Sequence, residues 1–207
     1  MKVRYSYLKD QFSNSEDLWK SLRKFVPTGD FTLGKELKVF ESNFAKLIGT
    51  KYSVGVNSGT DAIKLSLKAY GIKSGDEVIT NANTFVATVG AIHEIGAKII
   101  FVDCNDNFCL DVSQLEKYIT PKTKAIVPVH FSGYMSDMRF VNKIAKKYNL
   151  IVIEDACQSI LGSIEKKNAG TWGHTGAFSL HPLKNLNVWS DGGIIVTNSY
   201  KTYKKLL

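Results

Sequence analysis

Cysteine is scarce in this chain: three in 207 residues, Cys104, Cys109 and Cys157. The count is odd and no two are spaced C-x-x-C. That argues against a disulfide framework or a zinc site and for a reducing, cytoplasmic setting. The histidines and cysteines show no metal-ligand spacing. The N-terminal residues Met1 to Tyr7 lack the apolar centre of a signal peptide, and no run approaches the roughly 18 apolar residues of a membrane span. No G-x-G-x-x-G follows a strand, so a dinucleotide-binding dehydrogenase ranks last among the readings. There is no internal repeat, low-complexity segment or clear linker.

What is present is an ordinary globular balance, 44% hydrophobic and 22% charged, on a chain long enough to bury a real core. Lys+Arg outnumber Asp+Glu by 27 to 19, a net charge of +8. The lysines are scattered over predicted helix faces (Lys143, Lys146, Lys147; Lys201, Lys204, Lys205). They read mainly as solubility, with a mild attraction for phosphorylated substrates as the sharper alternative. No nucleic-acid motif accompanies the charge.

Residues 1–27 form an N-terminal segment with a short helix near Glu16–Lys24. From Glu36 a helical face of Leu37, Phe40, Phe44, Leu47 and Ile48 runs to a stop at Gly49. Then strand and helix alternate. Strands are predicted at 52–56, 77–80, 98–102, 124–129 and 150–154, with helices near 61–70, 84–94, 111–119 and 137–148. Two more buried strands, 176–178 and 194–197, precede a last helix from Tyr200. Runs such as Ile99–Ile100–Phe101–Val102 and Ile151–Val152–Ile153 are apolar on both faces, which predicts a parallel sheet with helices on either side.

Ligands of open α/β sheets bind beyond the carboxyl ends of the strands, and the chemistry-bearing residues fall there. Asn57–Ser58–Gly59–Thr60–Asp61 joins a strand end to a helix start. Free N–H groups and the helix dipole suit a phosphate, Gly59 permits close approach and Thr60 adds a hydroxyl. The same residues also make an ordinary N-cap. Asp155 ends a buried strand. A lone buried carboxylate is costly, so it needs a cation such as a protonated pyridine nitrogen, or else a salt bridge or cap. Glu154 faces the other way, because side chains alternate along a strand. Phe85 opens a helix and either stacks on a planar ring or joins the core. Ser179 can bind a phosphate oxygen. Lys184 lies in a turn between two buried strands, where apolar walls lower an ammonium pKa and favour the free amine that attacks carbonyls. The alternative is a lysine that only solvates a surface. His181 and His130 are substrate contacts or structural histidines, the second being preferred for His130.

Five segments in this order resemble the DegT/DnrJ/StrS family of pyridoxal-phosphate sugar aminotransferases: Asn57–Ala62, Ala82–Phe85, Val127–His130, Ile153–Gln158, and Phe178–Ser179 through Lys184–Asn185–Leu186 to Asp191–Gly192–Gly193. The resemblance covers residues 28–207. It implies the large domain of the aspartate-aminotransferase fold (fold type I), a mostly parallel seven-stranded sheet flanked by helices. It also implies pyridoxal 5′-phosphate as cofactor, with Lys184 forming the Schiff base and Asp155 on the pyridine nitrogen. Gln158 sits near the phenolic oxygen and Phe85 stacks on the ring, while Gly59, Thr60, Ser179 and the backbone at Asp61 hold the phosphate. His181 and Asn185 are candidate substrate contacts, and His181 and Trp189 flank the lysine loop.

The implied reaction moves an amino group from glutamate or glutamine to a keto group of a nucleotide-linked deoxysugar, in a homodimer with a shared active site. Cys157 replaces the alanine usual in Glu-Asp-Ala-Ala-Gln. Family members continue into a small C-terminal domain, so a chain ending at residue 207 is expected to stop before it. Two readings on the same scaffold compete: a dehydratase, against which the Schiff-base Lys184 argues, and a non-catalytic regulatory protein.

Overall fold

The computed structural model describes residues 4–207; residues 1–3 of the N-terminal segment lie outside the described residues. That segment forms two short helices, α1 (Leu8–Gln11) and α2 (Glu16–Phe25). Helix α3 (Lys35–Ile48) follows and ends where Gly49 turns left-handed (φ 92°), its N–H donating to Ala45 O. This is the usual use of glycine past a helix end.

The sheet has seven strands: β1 (Tyr52–Val56), β2 (Glu77–Asn81), β3 (Lys98–Val102), β4 (Thr123–Val127), β5 (Ile151–Asp155), β8 (Thr175–Ser179) and β9 (Gly193–Thr197). Their spatial order is β1-β9-β8-β5-β4-β2-β3. Only β9 runs against its neighbours. Reversal of β9 has a useful consequence. Gly193, at its start, pairs with both Val56 and Ser179, the carboxyl ends of β1 and β8. One edge of the sheet therefore collects the ends of β1, β5 and β8 together with the start of β9.

Alternation along the strands builds a core on each face. Val78, Val127 and Ile153 pack with α4 (Gly59–Ala69) and α5 (Val86–Glu94) through Ile63, Leu67, Ala91 and Ile92. Their neighbours Ile79, Ile126 and Val152 pack on the other face with α6 (Met138–Tyr148) through Met138, Val141 and Ile144. Phe44 and Ile48 of α3 close a third cluster over Phe178, Ile194 and Val196. The chain then enters α7 (Tyr200–Leu206).

Three expectations change. The run 112–118 is a 3-10 helix, not α; Asp111 accepts Ser113 N–H at its start, and Leu115 is its one buried side chain. So short a segment with a single anchor has little to gain from a wider turn. Strand β3 is not covered on both faces: it is the sheet edge, and Phe101 is exposed. A small hairpin of β6 (Ser163–Ile164) and β7 (Lys167–Asn168) was not expected. Its two-residue turn places Glu165 and Lys166 at φ 51° and 62°, the conformation for which Asn-Gly is the usual signal.

Phe178 is fully buried and meets the Phe44 ring edge-on at 5.2 Å. We expect Phe178→Ala to lower unfolding free energy by about 3–5 kcal/mol, measured by denaturant titration. A loss below about 1 kcal/mol, the size of an ordinary surface substitution, would show that this cluster is not a structural core.

Candidate active site

Helix α4 begins at the gathered edge. Ser58 caps it, its Oγ accepting Asp61 N–H at 3.1 Å. Among the described residues, the N–H groups of Gly59 and Thr60 have no protein partner. Gly59 is buried, and a Cβ there would stand 2.8 Å from both Cys157 Sγ and Ser179 Cβ. A Cβ on Gly193 would stand 2.2 Å from Ser58 O. Glycine at these two positions lets the helix start, β8 and β9 meet backbone to backbone. The Asp61 carboxylate turns away to Lys64 at 2.6 Å, and the hydrogen bonds that Lys64 donates to Asp61 and then to Glu94 raise the Lys64 pKa.

Glu154 and Asp155, neighbours on β5, are both buried and face opposite ways, as alternation requires. The Glu154 carboxylate accepts four hydrogen bonds: from the N–H groups of Gly170 (2.8 Å), Trp172 (2.7 Å) and Gly173 (2.6 Å), and from His130 Nε2 (2.9 Å). An ionised carboxylate has about four acceptor positions, so Glu154 is saturated. Asp155 accepts two, from Thr88 Oγ1 at 2.7 Å and Cys157 N–H at 3.2 Å. It keeps acceptor capacity for a further donor on the site side. The Thr88 hydroxyl is in turn 2.8 Å from Thr84 Oγ1.

Lys184 lies half-buried in the turn after β8. Ser179 Oγ accepts His181 N–H at 3.3 Å, and His181 O accepts Lys184 N–H at 2.8 Å. Cys157 reports on both charged partners. Burial pushes its thiol pKa well above the usual value, Asp155 pushes it further, and Lys184 opposes the rise. Asp155 and Lys184 thus act on one sulfur atom, which itself touches the cradle at Gly59.

The remaining predicted residues are spread around this centre. Phe85 is 63% exposed as the N-cap of α5, so it is not a core aromatic. Gln158 Oε1 accepts Ser132 N–H at 3.0 Å, leaving its Nε2 as a donor. His181 and Asn185 are exposed; Asn185 Nδ2 donates to Ile160 O at 3.4 Å. His130 is fully buried and structural. Its Nδ1 accepts Ser136 N–H at 3.3 Å while Nε2 faces Glu154, which fixes the neutral Nε2–H tautomer. Trp189 packs on Phe12 and Trp19 of the N-terminal helices, with ring centroids 6.1 and 5.2 Å away. A concavity of about 1020 Å³ is lined there by the N-terminal helices and Asn187–Trp189 and includes none of Gly59, Asp155, Ser179 and Lys184.

The sequence pattern of the DegT/DnrJ/EryC1/StrS aminotransferase family matches residues 13–207. The chain belongs to that family. It is 40% identical over 207 residues to a pleiotropic regulatory protein of Geobacillus stearothermophilus, covering 99% of this chain and 56% of that protein. It is 38% identical to the dTDP-3-amino-3,4,6-trideoxy-alpha-D-glucose transaminase of Micromonospora megalomicea subsp. nigra, covering 98% of this chain and 54% of the enzyme. The crystal structure of NtdA from Bacillus subtilis with bound cofactor PMP superposes with a TM-score of 0.88 at 41% identity, over 92% of this chain and 43% of NtdA. The chain spans about half the length of the curated relatives it matches. Its seven-stranded sheet is the large-domain fold of these transferases.

Within this DegT-family chain, sequence reasoning missed Thr88. The available signal was a hydroxyl on an otherwise apolar helix, four residues after Thr84. It also treated Cys157 as a tolerated replacement, whereas the sulfur stands at the meeting point of the cradle and both charges.

One consequence is measurable without any cofactor. Lys184→Ala removes the cation that opposes the rise in the Cys157 pKa. At mildly alkaline pH, iodoacetamide should then alkylate Cys157 more slowly than in the wild type, read by peptide mass spectrometry, while Lys201→Ala leaves the rate unchanged. An unchanged rate in Lys184→Ala would place the amine away from the sulfur.

Proposed function

We propose that this chain carries the cofactor-holding machinery of a pyridoxal-phosphate-dependent aminotransferase. The donor is glutamate or glutamine and the acceptor a keto group of a nucleotide-linked deoxysugar. The observation that carries the reading is a half-satisfied buried carboxylate, Asp155, set with Lys184 around a glycine cradle that ends in free N–H groups.

Pyridoxal phosphate, when bound, supplies an electron sink that makes the carbon beside an amine acidic. The residues present fit it. The N–H groups of Gly59 and Thr60, at a helix N-terminus, would take a phosphate, and Ser179 packs against Gly59. Asp61 offers less than the resemblance implies, because its N–H already serves the cap and its carboxylate pairs with Lys64. Asp155 uses its spare acceptor positions to hold a proton on a pyridine nitrogen, and Thr88 keeps the carboxylate aimed. Gln158 Nε2 would donate to a phenolic oxygen. Phe85 offers an exposed ring face for stacking. Lys184 Nζ would hold the cofactor's aldehyde carbon and, as a free amine, would serve as the base that takes and returns a proton.

A homodimer in the cytoplasm completes the proposal. Large aromatics beside the site, Phe85, Phe108 and Tyr134, are each more than half exposed and form a surface that a second copy would cover. Among the described residues no helix is long and apolar enough to cross a membrane. The regulatory name of the Geobacillus relative favours the non-catalytic alternative; the intact pair of Lys184 and Asp155 favours catalysis.

Purified chain with added pyridoxal phosphate should develop a visible absorption band. Borohydride should fix the cofactor to Lys184, and Lys184→Ala should lose the band. Glutamate-dependent conversion of a keto-sugar nucleotide separates an aminotransferase from a dehydratase. A folded wild-type chain with no band would put the regulatory reading ahead.

A further inference from the structure

The mechanism uses one face of β5. The other face carries a buried hydrogen-bonded pair that the reaction does not touch. Glu154 is fully buried and saturated by four donors, three of them backbone N–H groups of the 170–173 loop and the fourth His130 Nε2. His130 is fully buried as well, with both ring nitrogens engaged. So complete an arrangement costs two buried polar side chains, and a pair of apolar residues would serve stability at least as well.

What the pair holds explains its form. His130 follows the end of β4, and its N–H donates to Asp155 O at 3.0 Å, while Asp155 N–H donates to Pro128 O at 3.0 Å. Ser136, which donates to His130 Nδ1, also donates its hydroxyl to Val129 O at 3.1 Å. His130 then opens the turn Phe131–Gly133, where Ser132 (φ 50°) donates its N–H to Gln158 Oε1 and Gly133 O accepts from Ser159 Oγ at 3.3 Å. The main chain at 130–132 therefore joins the end of β4 to Asp155 and Gln158, the residues proposed to face the pyridine nitrogen and the phenolic oxygen, and the imidazole ties that stretch to Glu154.

We propose that His130 and Glu154 are a positioning pair: from behind the strand they set the direction of the Asp155 carboxylate and the place of the Gln158 amide. This rests on the cofactor reading above. Removing the pair leaves Asp155 in the chain but lets the peptide units at 154–155 and 131–133 turn. A pyridine nitrogen facing a displaced carboxylate loses its proton more readily. The nitrogen joined to Lys184 then keeps its own proton to higher pH, because the neighbouring positive charge has gone.

The test compares His130→Phe, which removes both imidazole hydrogen bonds, with His130→Gln, which returns an N–H to Glu154. Glu154→Gln is a second disruption, since its new amide points donors at donors. In His130→Phe and Glu154→Gln, the pH at which the bound-cofactor band changes should rise by about one unit, the size of one lost charge neighbour. His130→Gln should restore the wild-type value. Amide hydrogen exchange on the chain without cofactor gives an independent reading. Asp155 and Ser132 N–H should exchange about tenfold faster in His130→Phe, with Ile194–Val196 of β9 unchanged, a local rather than global opening. A lowered melting temperature with an unmoved titration and uniform exchange would overturn the proposal and leave the pair merely structural. A wild-type chain that takes up no cofactor would overturn the cofactor reading instead, and the exchange pattern would then decide the positioning claim alone.

Discussion

The site depends on how one buried carboxylate is only partly satisfied. Two acidic residues stand side by side on β5, both removed from water, and the protein treats them in opposite ways. Glu154 receives four hydrogen bonds and is closed to further partners. Asp155 receives two and is left with acceptor capacity at the edge where the strand ends. Burying a carboxylate is expensive unless donors compensate it, so the asymmetry is informative. A fold that needed only stability had the means, one residue away, to saturate the second acid as it did the first.

The sheet topology makes that asymmetry useful. Parallel strands deliver their carboxyl ends to one edge, and the single reversed strand, β9, brings its start to the same place. The cradle at Gly59 follows from this crowding. With Ser58 O standing 2.2 Å from a would-be Cβ on Gly193, and Cys157 and Ser179 each 2.8 Å from one on Gly59, no larger residue fits at either point. Close approach of three backbones places the first N–H groups of α4 at the strand ends, against Cys157 and Ser179. The helix start and the two strand ends are fixed by one packing arrangement.

This explains what could and could not be read beforehand. The parallel sheet was legible because strands such as Ile151–Ile153 are apolar at every position, and the helices because Gly49 and Asp137 mark their ends. Asp155, Lys184 and Gly59 stand out in the sequence because each breaks an apolar or regular pattern at a strand end. Elements that depend on tertiary partners were not. Nothing in Ile99–Val102 distinguishes an edge strand from a central one, since that is decided by where the neighbours lie. The hairpin at Glu165–Lys166 uses left-handed backbone without the residues that usually signal it. Thr88 shows its importance only when the Asp155 carboxylate is found 2.7 Å away, across 67 residues of sequence. His130 is buried, as a structural histidine would be, but its partners at 136 and 154 come from two separate segments and leave no local signature.

The same division separates the fixed part of the chemistry from the variable part. Gly59, Thr88, Asp155, Cys157 and Ser179 sit on strand ends and helix starts, and all but Cys157 are almost fully buried. A change at any of them disturbs packing as well as contact. His181, Asn185 and Trp189 are exposed on the loop that carries Lys184, where substitutions cost the fold little. A protein built this way can vary the loop while holding the buried acid and the glycine contacts constant. Trp189 adds a constraint of its own, because its ring is anchored on Phe12 and Trp19. The position of this loop is therefore coupled to the N-terminal helices, and a change in either must be accommodated by the other.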